Sequence, residues 1–337
     1  MPLHLLASTL ARTGESWSEA RDRVLFVGGV TEGDRLRTDV DFVPERPSIV
    51  VAQLAPSEAV AAVAADKPLV AAVLDHRVTV IVLDRRAQEE SSIIDQVAVL
   101  HERGIRVRSL AQFYEEWLAK LPISELERTS LFFDISEVHR IRYGRAKRLV
   151  DLVGALLGLV GLVVVTPLVV VGNLVANRGP LLYRQERVGR GGRSFRILKF
   201  RSMVPHASSA GDAPWTERDD PRITPFGRLL RASHLDELPQ MVNVLRGELS
   251  LVGPRPEQPR YVRELSERLP FYGMRHLVRP GLTGWAQVKY GYAGDERDAI
   301  EKLQYEFFYL RNQSLRFDLR VLGRTVRSVL GGSGRGR

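Results

Sequence analysis

The sequence predicts an α/β N-terminal domain with a Rossmann-like parallel sheet, followed by a mainly helical, membrane-associated domain with a re-entrant helix-break-helix. Three observations predict it. Up to about residue 120, short β-branched runs alternate with helix-like stretches. Leu152 to Gly172 then supplies 21 residues without a charge, with basic clusters on both sides. From Ile197 onward the pattern becomes helical, with long loops.

In the front part, Val24–Val27, Ser48–Leu54 and Val78–Leu83 are β-branched runs that read as buried strands. Ser91–Glu102 is amphipathic and opens on serine, an N-cap residue type; Gly104 and the strand-like Ile105–Arg108 follow. Strand, helix, strand in this rhythm implies a parallel sheet. Gly28, Gly29 and Gly33 lack the spacing of a dinucleotide fingerprint, so the expectation is a tight turn without a cofactor. The ordering of composition gives an α/β domain over 1–122, a linker over 123–146 and a membrane hairpin over 147–178. A second domain over 179–330 and a tail over 331–337 complete it.

The charge-free run is long enough, at ~1.5 Å per residue, to match a bilayer's ~30 Å core. Pro167 interrupts it late, removing a backbone hydrogen bond, and Thr166 beside it can satisfy a freed carbonyl. Arg140–Arg148 holds five basic residues and Arg178–Arg201 eight against Glu186 alone. Basic flanks favour the cytoplasmic side. A helix that breaks at Thr166-Pro167 and returns satisfies both flanks, which is the expectation here. The N-terminus has neither a basic leader nor a small-residue cleavage site, so the front of the chain is expected in the cytoplasm.

Composition excludes several chemistries. The 337 residues include no cysteine, which removes disulfides, thiolate nucleophiles and sulfur-ligated zinc. Seven histidines show no metal-ligand spacing. A formal charge of +9 points to an anionic partner: nucleic acid, an acidic membrane or a phosphorylated substrate.

Asp236-Glu237, within Leu235–Gln240, follows one helix and is expected in the first turn of the next, where the dipole favours ionised carboxylates. Neighbouring helical positions point about 100° apart, so one carboxylate can be a nucleophile while the other holds a hard cation such as Mg²⁺. A stabilising cap is the plainer reading of the same pair. Gly253-Pro254-Arg255-Pro256 holds one arginine between prolines, suited to a diphosphate or to a surface turn. Lys199 and Arg201 suit phosphate binding or membrane anchoring. Arg279–Val288, with Thr283, Trp285 and Gln287, reads as a ligand loop with a stacking tryptophan or as a structural turn. Arg316, Arg320, Arg324 and Arg327 line one face of a terminal helix over 315–330, against headgroups or solvent.

Together these motifs resemble the bacterial sugar transferases, the monotopic polyprenyl-phosphate phosphoglycosyl transferases, over about residues 147–330. The carrying residues are Lys147-Arg148-x-x-Asp151, Thr166-Pro167, Gln185-x-Arg187-x-Gly189, Lys199–Met203, Asp220-Pro-Arg222, Leu235–Gln240, Asn243-Val-Leu-x-Gly247, Val252–Pro256 and Arg279–Val288. Glu301–Tyr305 and Tyr309-x-Arg-Asn312 are most similar to the exopolysaccharide-initiating branch. Relatives often carry serine where this chain has Thr166, with the hydroxyl kept.

The resemblance implies transfer of a sugar 1-phosphate from a UDP-sugar to undecaprenyl phosphate, through a phosphosugar ester on Asp236. Glu237 would hold Mg²⁺; Arg255, then Arg231, Lys199 and Arg201, would neutralise phosphoryl charge. Gln185, Arg187, Arg279, Thr283, Trp285, Gln287 and Glu306 are donor- or lipid-binding candidates. The implied location is the cytoplasmic face of the cytoplasmic membrane, with the inner leaflet and no nucleic acid as partner. Whether the front domain binds a nucleotide or scaffolds a homodimer stays open. Competing readings are a non-enzymatic, membrane-docked nucleotide-binding adaptor and a multi-pass transferase without a covalent step.

Overall fold

A computed structural model of the chain describes residues 21–42, 48–61, 67–123, 137–177, 179–204, 222–290 and 296–330. Asp220 and the tail over 331–337 lie outside the described residues. The chain divides into two compact units, Met1–Glu125 and Leu126–Arg337.

In the first unit, β1 (Asp22–Val27), β2 (Ser48–Leu54), β3 (Val80–Leu83) and β4 (Arg106–Ser109) form one parallel sheet in the order β2-β1-β3-β4. Alternation sorts its side chains by face. Val24, Phe26, Val80 and Val82 join Leu36 and Phe113 on one side, whereas Leu25, Val27, Ile81 and Leu83 join Leu69 and Ile93 on the other. Burial of both faces is why the central strands β1 and β3 read as apolar runs rather than polar-apolar alternation. Helices α1 (Val30–Phe42), α2 (Pro68–Asp75) and α3 (Ser91–Glu102) connect the strands.

One local expectation changes, and one turn gains a partner. Glu90, without a side-chain hydrogen bond, is the N-cap of α3, and Ser91 is already helical. The Gly28-Gly29 turn is closed by Asp84, whose Oδ2 accepts from Gly29 N at 2.9 Å while Oδ1 accepts from Ala87 N at 2.7 Å. One carboxylate thus ties the end of β3 to the turn after β1.

The second unit opens with α4 (Glu137–Gly172), 36 residues that continue through Pro167 into a π-helical turn, Asn173–Asn177. The expected break at Thr166-Pro167 is therefore not an interruption of the helix. Thr166 Oγ1 donates to Leu162 O at 2.6 Å, and packing on either side of the proline compensates the one lost backbone bond.

That packing follows a single stripe. Asp151 accepts from Ser250 Oγ and Leu251 N; Ala155, Leu162, Val165 and Val169 join apolar clusters of the same unit; Gly158 abuts Met241 and Gly172 abuts Phe226. The spacings along this series alternate between four and three residues, one face of a helix. The opposite face is bare: Leu157, Val160, Val163, Val164, Leu168 and Val171 are each more than 60% exposed. By length and composition the helix is able to cross a membrane.

An antiparallel pair, β5 (Leu182–Val188) and β6 (Ser194–Phe200), follows α4. Next come α5 (Pro225–Ala232), a 3₁₀ turn Leu235–Glu237 and α6 (Gln240–Arg246). The strand β7 (Ser250–Val252) pairs in parallel with β8 (Gly281–Thr283), and α7 (Pro259–Arg268) lies between them in sequence. Two long helices, α8 (Glu296–Arg311) and α9 (Leu315–Leu330), finish the unit. Arg316, Arg320 and Arg327 share the exposed face of α9; Arg324 instead lies half-buried, 5.2 Å from the Trp285 ring centroid.

Candidate active site

Asp236 and Glu237 sit in the 3₁₀ turn between α5 and α6, not in the first turn of α6, whose N-cap is Pro239. His234, just ahead, adopts a left-handed backbone (φ 55°) that swings the chain out of α5. The dipole argument from sequence consequently gives way to local burial and local charge.

The two carboxylates respond oppositely. Burial pushes the Asp236 carboxyl above its ordinary range, with Glu237 adding repulsion and Lys199 and Arg231 opposing the shift. Asp236 is 8% exposed and accepts no hydrogen bond among the described residues. Burial also acts upward on Glu237, but the charges of Lys199 and Arg255 overcome it and hold the carboxyl down at about 2. Lys199 Nζ donates to Glu237 Oε1 at 2.7 Å, and Arg255 Nη2 lies 3.7 Å from the same oxygen. The fold therefore brings Lys199, Asp236, Glu237 and Arg255 together from three separate segments, with Arg231 near enough to act on Asp236.

Arg255 projects from a turn whose backbone is tied on all sides. Gly253 N donates to Thr283 O at 2.9 Å and Gly281 N to Pro254 O at 2.8 Å. A Cβ on Gly281 would stand 2.1 Å from Gly253 N, so this crossing of β7 and β8 requires glycine. The glycines of Arg279–Val288 thus serve close backbone approach.

Other expected site residues turn inward. Trp285 is 3% exposed, edge-on to Phe317 at 4.9 Å and near Phe308, so its ring belongs to the core and not to a ligand. Thr283 Oγ1 is 2.8 Å from Thr325 Oγ1, and Gln287 lies half-buried beside Gly284. Glu306 is buried in a two-oxygen ion pair with Arg275. Gln185 Oε1 accepts from Arg187 Nη2 at 2.6 Å, and Arg187 Nη1 donates to Pro256 O at 3.0 Å. Arg201 Nε donates to Pro180 O. Arg279 is half-buried, its guanidinium lowered from its ordinary value by burial and by Arg148 and Arg190.

The motif at the start of the apolar helix docks that helix. Lys147 Nζ reaches Asp318 Oδ2 at 2.9 Å, and Arg148 donates to Val244 O and Leu245 O, carbonyls at the end of α6. Sequence reasoning missed Asp318, which also accepts from Tyr143 and Tyr309, and Arg275. It did not foresee that Asn243, 0% exposed, joins Leu198 N and Arg196 O of β6 to α6. Among the described residues no group of three histidine, aspartate or glutamate side chains is arranged to hold a metal.

Residues 142–332 match the model of the family described as bacterial sugar transferase. The chain is 46% identical over 156 residues to an Aeromonas hydrophila UDP-N-acetylgalactosamine-undecaprenyl-phosphate N-acetylgalactosaminephosphotransferase, covering 46% of this chain and 37% of that protein. It is 41% identical over 189 residues to the Xanthomonas campestris pv. campestris UDP-glucose:undecaprenyl-phosphate glucose-1-phosphate transferase, covering 55% and 39%. A Caulobacter vibrioides protein of the same name is 42% identical over 197 residues, covering 57% and 72%. The match thus spans well under half the length of the first two relatives. With its family match covering more than half of its length, this chain belongs to the bacterial sugar transferases.

Proposed function

We propose that the chain transfers a sugar 1-phosphate from a UDP-sugar to undecaprenyl phosphate, the first membrane step of exopolysaccharide or other glycoconjugate synthesis. The observation that carries this reading is the pairing of a buried carboxylate that accepts no hydrogen bond among the described residues, Asp236, with an ionised one, Glu237, beside Lys199 and Arg255. The names of the relatives supply the substrate classes.

An Asp236 oxygen attacks the sugar-linked phosphorus. The bond from that phosphorus to the bridging oxygen breaks, UMP leaves, and a phosphosugar ester remains on Asp236. An oxygen of the lipid phosphate then attacks the same phosphorus, the ester bond breaks, and the carboxylate is restored as the lipid diphosphosugar departs. A poorly solvated carboxylate is a stronger nucleophile once ionised, and the approaching cations lower the cost of that ionisation. Arg255, assisted by Lys199 and Arg231, stabilises charge developing on the phosphoryl oxygens.

The donor set suits Mg²⁺ carried by Glu237 together with phosphate oxygens, because one carboxylate plus substrate phosphates is a usual Mg²⁺ arrangement. When bound, the ion supplies charge neutralisation on the diphosphate. Attachment is to the inner leaflet at the cytoplasmic face, with both flanks of α4 on that side and its bare apolar face in lipid.

Purified protein incubated with UDP-sugar, Mg²⁺ and undecaprenyl phosphate is expected to release UMP and to yield a phosphosugar adduct on Asp236 by mass spectrometry. Absence of UMP with each of UDP-glucose, UDP-galactose and their N-acetyl forms would overturn the reading and favour an adaptor. Turnover without an adduct would favour direct transfer.

A further inference from the structure

Arg255 is the half-buried arm of a turn in which successive backbone carbonyls are each engaged from outside. Gly281 N takes Pro254 O, Arg275 Nη2 takes Arg255 O at 2.8 Å, Arg187 Nη1 takes Pro256 O at 3.0 Å, and Val188 N takes Glu257 O at 2.9 Å. Pro254 and Pro256 restrict the torsions on either side. Two of these four donors are arginine side chains, from β5 and from the segment after α7.

Arg275 is 5% exposed and engaged at all three guanidinium nitrogens. Its Nε and Nη2 bind Glu306 at 2.9 and 2.7 Å, Nη1 binds the Tyr272 hydroxyl at 2.6 Å, and Nη2 also serves the Arg255 carbonyl. A buried ion pair is a poor way to gain stability, since desolvation consumes most of the attraction. What the pair does supply is direction: Glu306 on α8 fixes the guanidinium plane, and the plane fixes the carbonyl. Arg187 repeats the arrangement from the other side, with Gln185 on Nη2 and Glu257 Oε2 3.7 Å from Nη1.

We infer that Arg275, oriented by Glu306, and Arg187 are positioning residues that clamp the Arg255–Pro256 carbonyls and so aim the Arg255 guanidinium at the phosphoryl group beside Glu237. This rests on the transfer reaction proposed above. It reassigns Glu306, Arg187 and Gln185 from substrate contact to alignment, and it adds Arg275. Misplacing a charge-stabilising group by about 1 Å costs a reaction as much as 100-fold, which sets the scale of the effect.

The test is a pair of double-mutant cycles on UMP release in the full chain. Arg275→Lys keeps a cation but cannot serve Glu306, Tyr272 and the carbonyl at once; Arg187→Gln removes the second donor at a half-buried position. Each is expected to lower kcat about 10- to 100-fold with donor KM changed less than threefold. In an Arg255→Ala background each is expected to have under a threefold further effect, because the group being aimed is gone. Equal fold-losses in both backgrounds, or wild-type kcat in the single variants, would overturn the clamp. If Arg275→Lys does not fold, the Arg187→Gln cycle decides by the same criteria. Asp236→Asn in the same preparation separates the two levels: retained UMP release there defeats the reaction itself, whereas additive cycles with an inactive Asp236→Asn defeat only the clamp.

Discussion

Lys199 Nζ lies 2.7 Å from Glu237 Oε1, reaching from the end of β6 to the turn after α5. With Arg255 at 3.7 Å, it keeps Glu237 ionised while burial pushes its neighbour Asp236 toward the protonated form. Two adjacent carboxylates acquire different chemistry because one has cations in contact and the other is desolvated.

Lys199→Met should therefore raise the Glu237 carboxyl from about 2 toward its ordinary value. The sign follows from linkage. A depressed folded-state value contributes stability above the unfolded-state value near 4.5, and that contribution is lost as pH falls toward 2. The variant is expected to lose about 1–3 kcal/mol at pH 7, after allowance for the partial exposure of both side chains. Its acid unfolding should begin at higher pH than that of the native chain. Urea melts at pH 3, 5 and 7 measure this; an unchanged acid transition would mean that the contact does not hold Glu237 down.

Asp236 carries the opposite sign. Its raised value means that the native chain holds this proton more tightly than the unfolded chain does, so ionisation above the ordinary range subtracts stability. Asp236→Asn is expected to remove UMP release by about 10³-fold or more while leaving the thermal midpoint equal or higher. The acid limb of kcat/KM should titrate above the ordinary aspartate range. A variant that both loses activity and unfolds early would give Asp236 a structural rather than nucleophilic role.

Much of the fold is legible in the sequence because single-residue patterns carry it. Strands β1 and β3 announce themselves through β-branched runs, since both faces of their sheet are buried. The apolar helix is evident from the absence of charge over Leu152–Gly172. Asp236-Glu237 and Arg255 are visible as unusual local combinations, and the fold does bring them together. Arg275 leaves no such trace: a lone buried arginine in a 3₁₀ turn has no periodicity, and its partner Glu306 is 31 positions away. Trp285 shows the reverse error. Glycines near a tryptophan suggest a ligand loop, yet Gly253 and Gly281 are there because two backbones cross. Pro167 signals a break by its own chemistry, which packing along α4 overrides.

Trp285 in the core makes a clear contrast with Trp285 on a ligand. Truncation of a buried aromatic of this size costs about 3–5 kcal/mol, so Trp285→Ala should be expressed poorly or melt early. Trp285→Phe keeps the ring against Phe317 and should preserve donor KM within about twofold, while costing about 1 kcal/mol of stability for the lost volume. Isothermal titration with UDP and denaturant melts read the two effects separately. A large loss of UDP affinity in Trp285→Phe without a loss of stability would restore the stacking role.

The topology of α4 follows from what covers its packed stripe. Asp151, at one end, is bonded to Ser250 and Leu251; Gly172, at the other, abuts Phe226. A helix crossing the bilayer would have to carry this covering layer with it, including β6 with Lys199 and its partner Glu237. Each charge placed at mid-bilayer costs about 2.5–3.5 kcal/mol even on insertion-based scales. Both ends of α4 are therefore expected on one side, with only the bare face in lipid. The chain has no cysteine, so single cysteines at Arg145 and Pro180 report directly. Both should react with an impermeant maleimide from the cytoplasmic side of oriented vesicles, and opposite-side labelling would establish a crossing. Leu157→Glu and Val164→Glu, at 69% and 67% exposure, should leave the melt unchanged because those side chains touch little protein. Their cosedimentation with anionic vesicles should fall at least several-fold; if it does not, another surface holds the chain to the membrane.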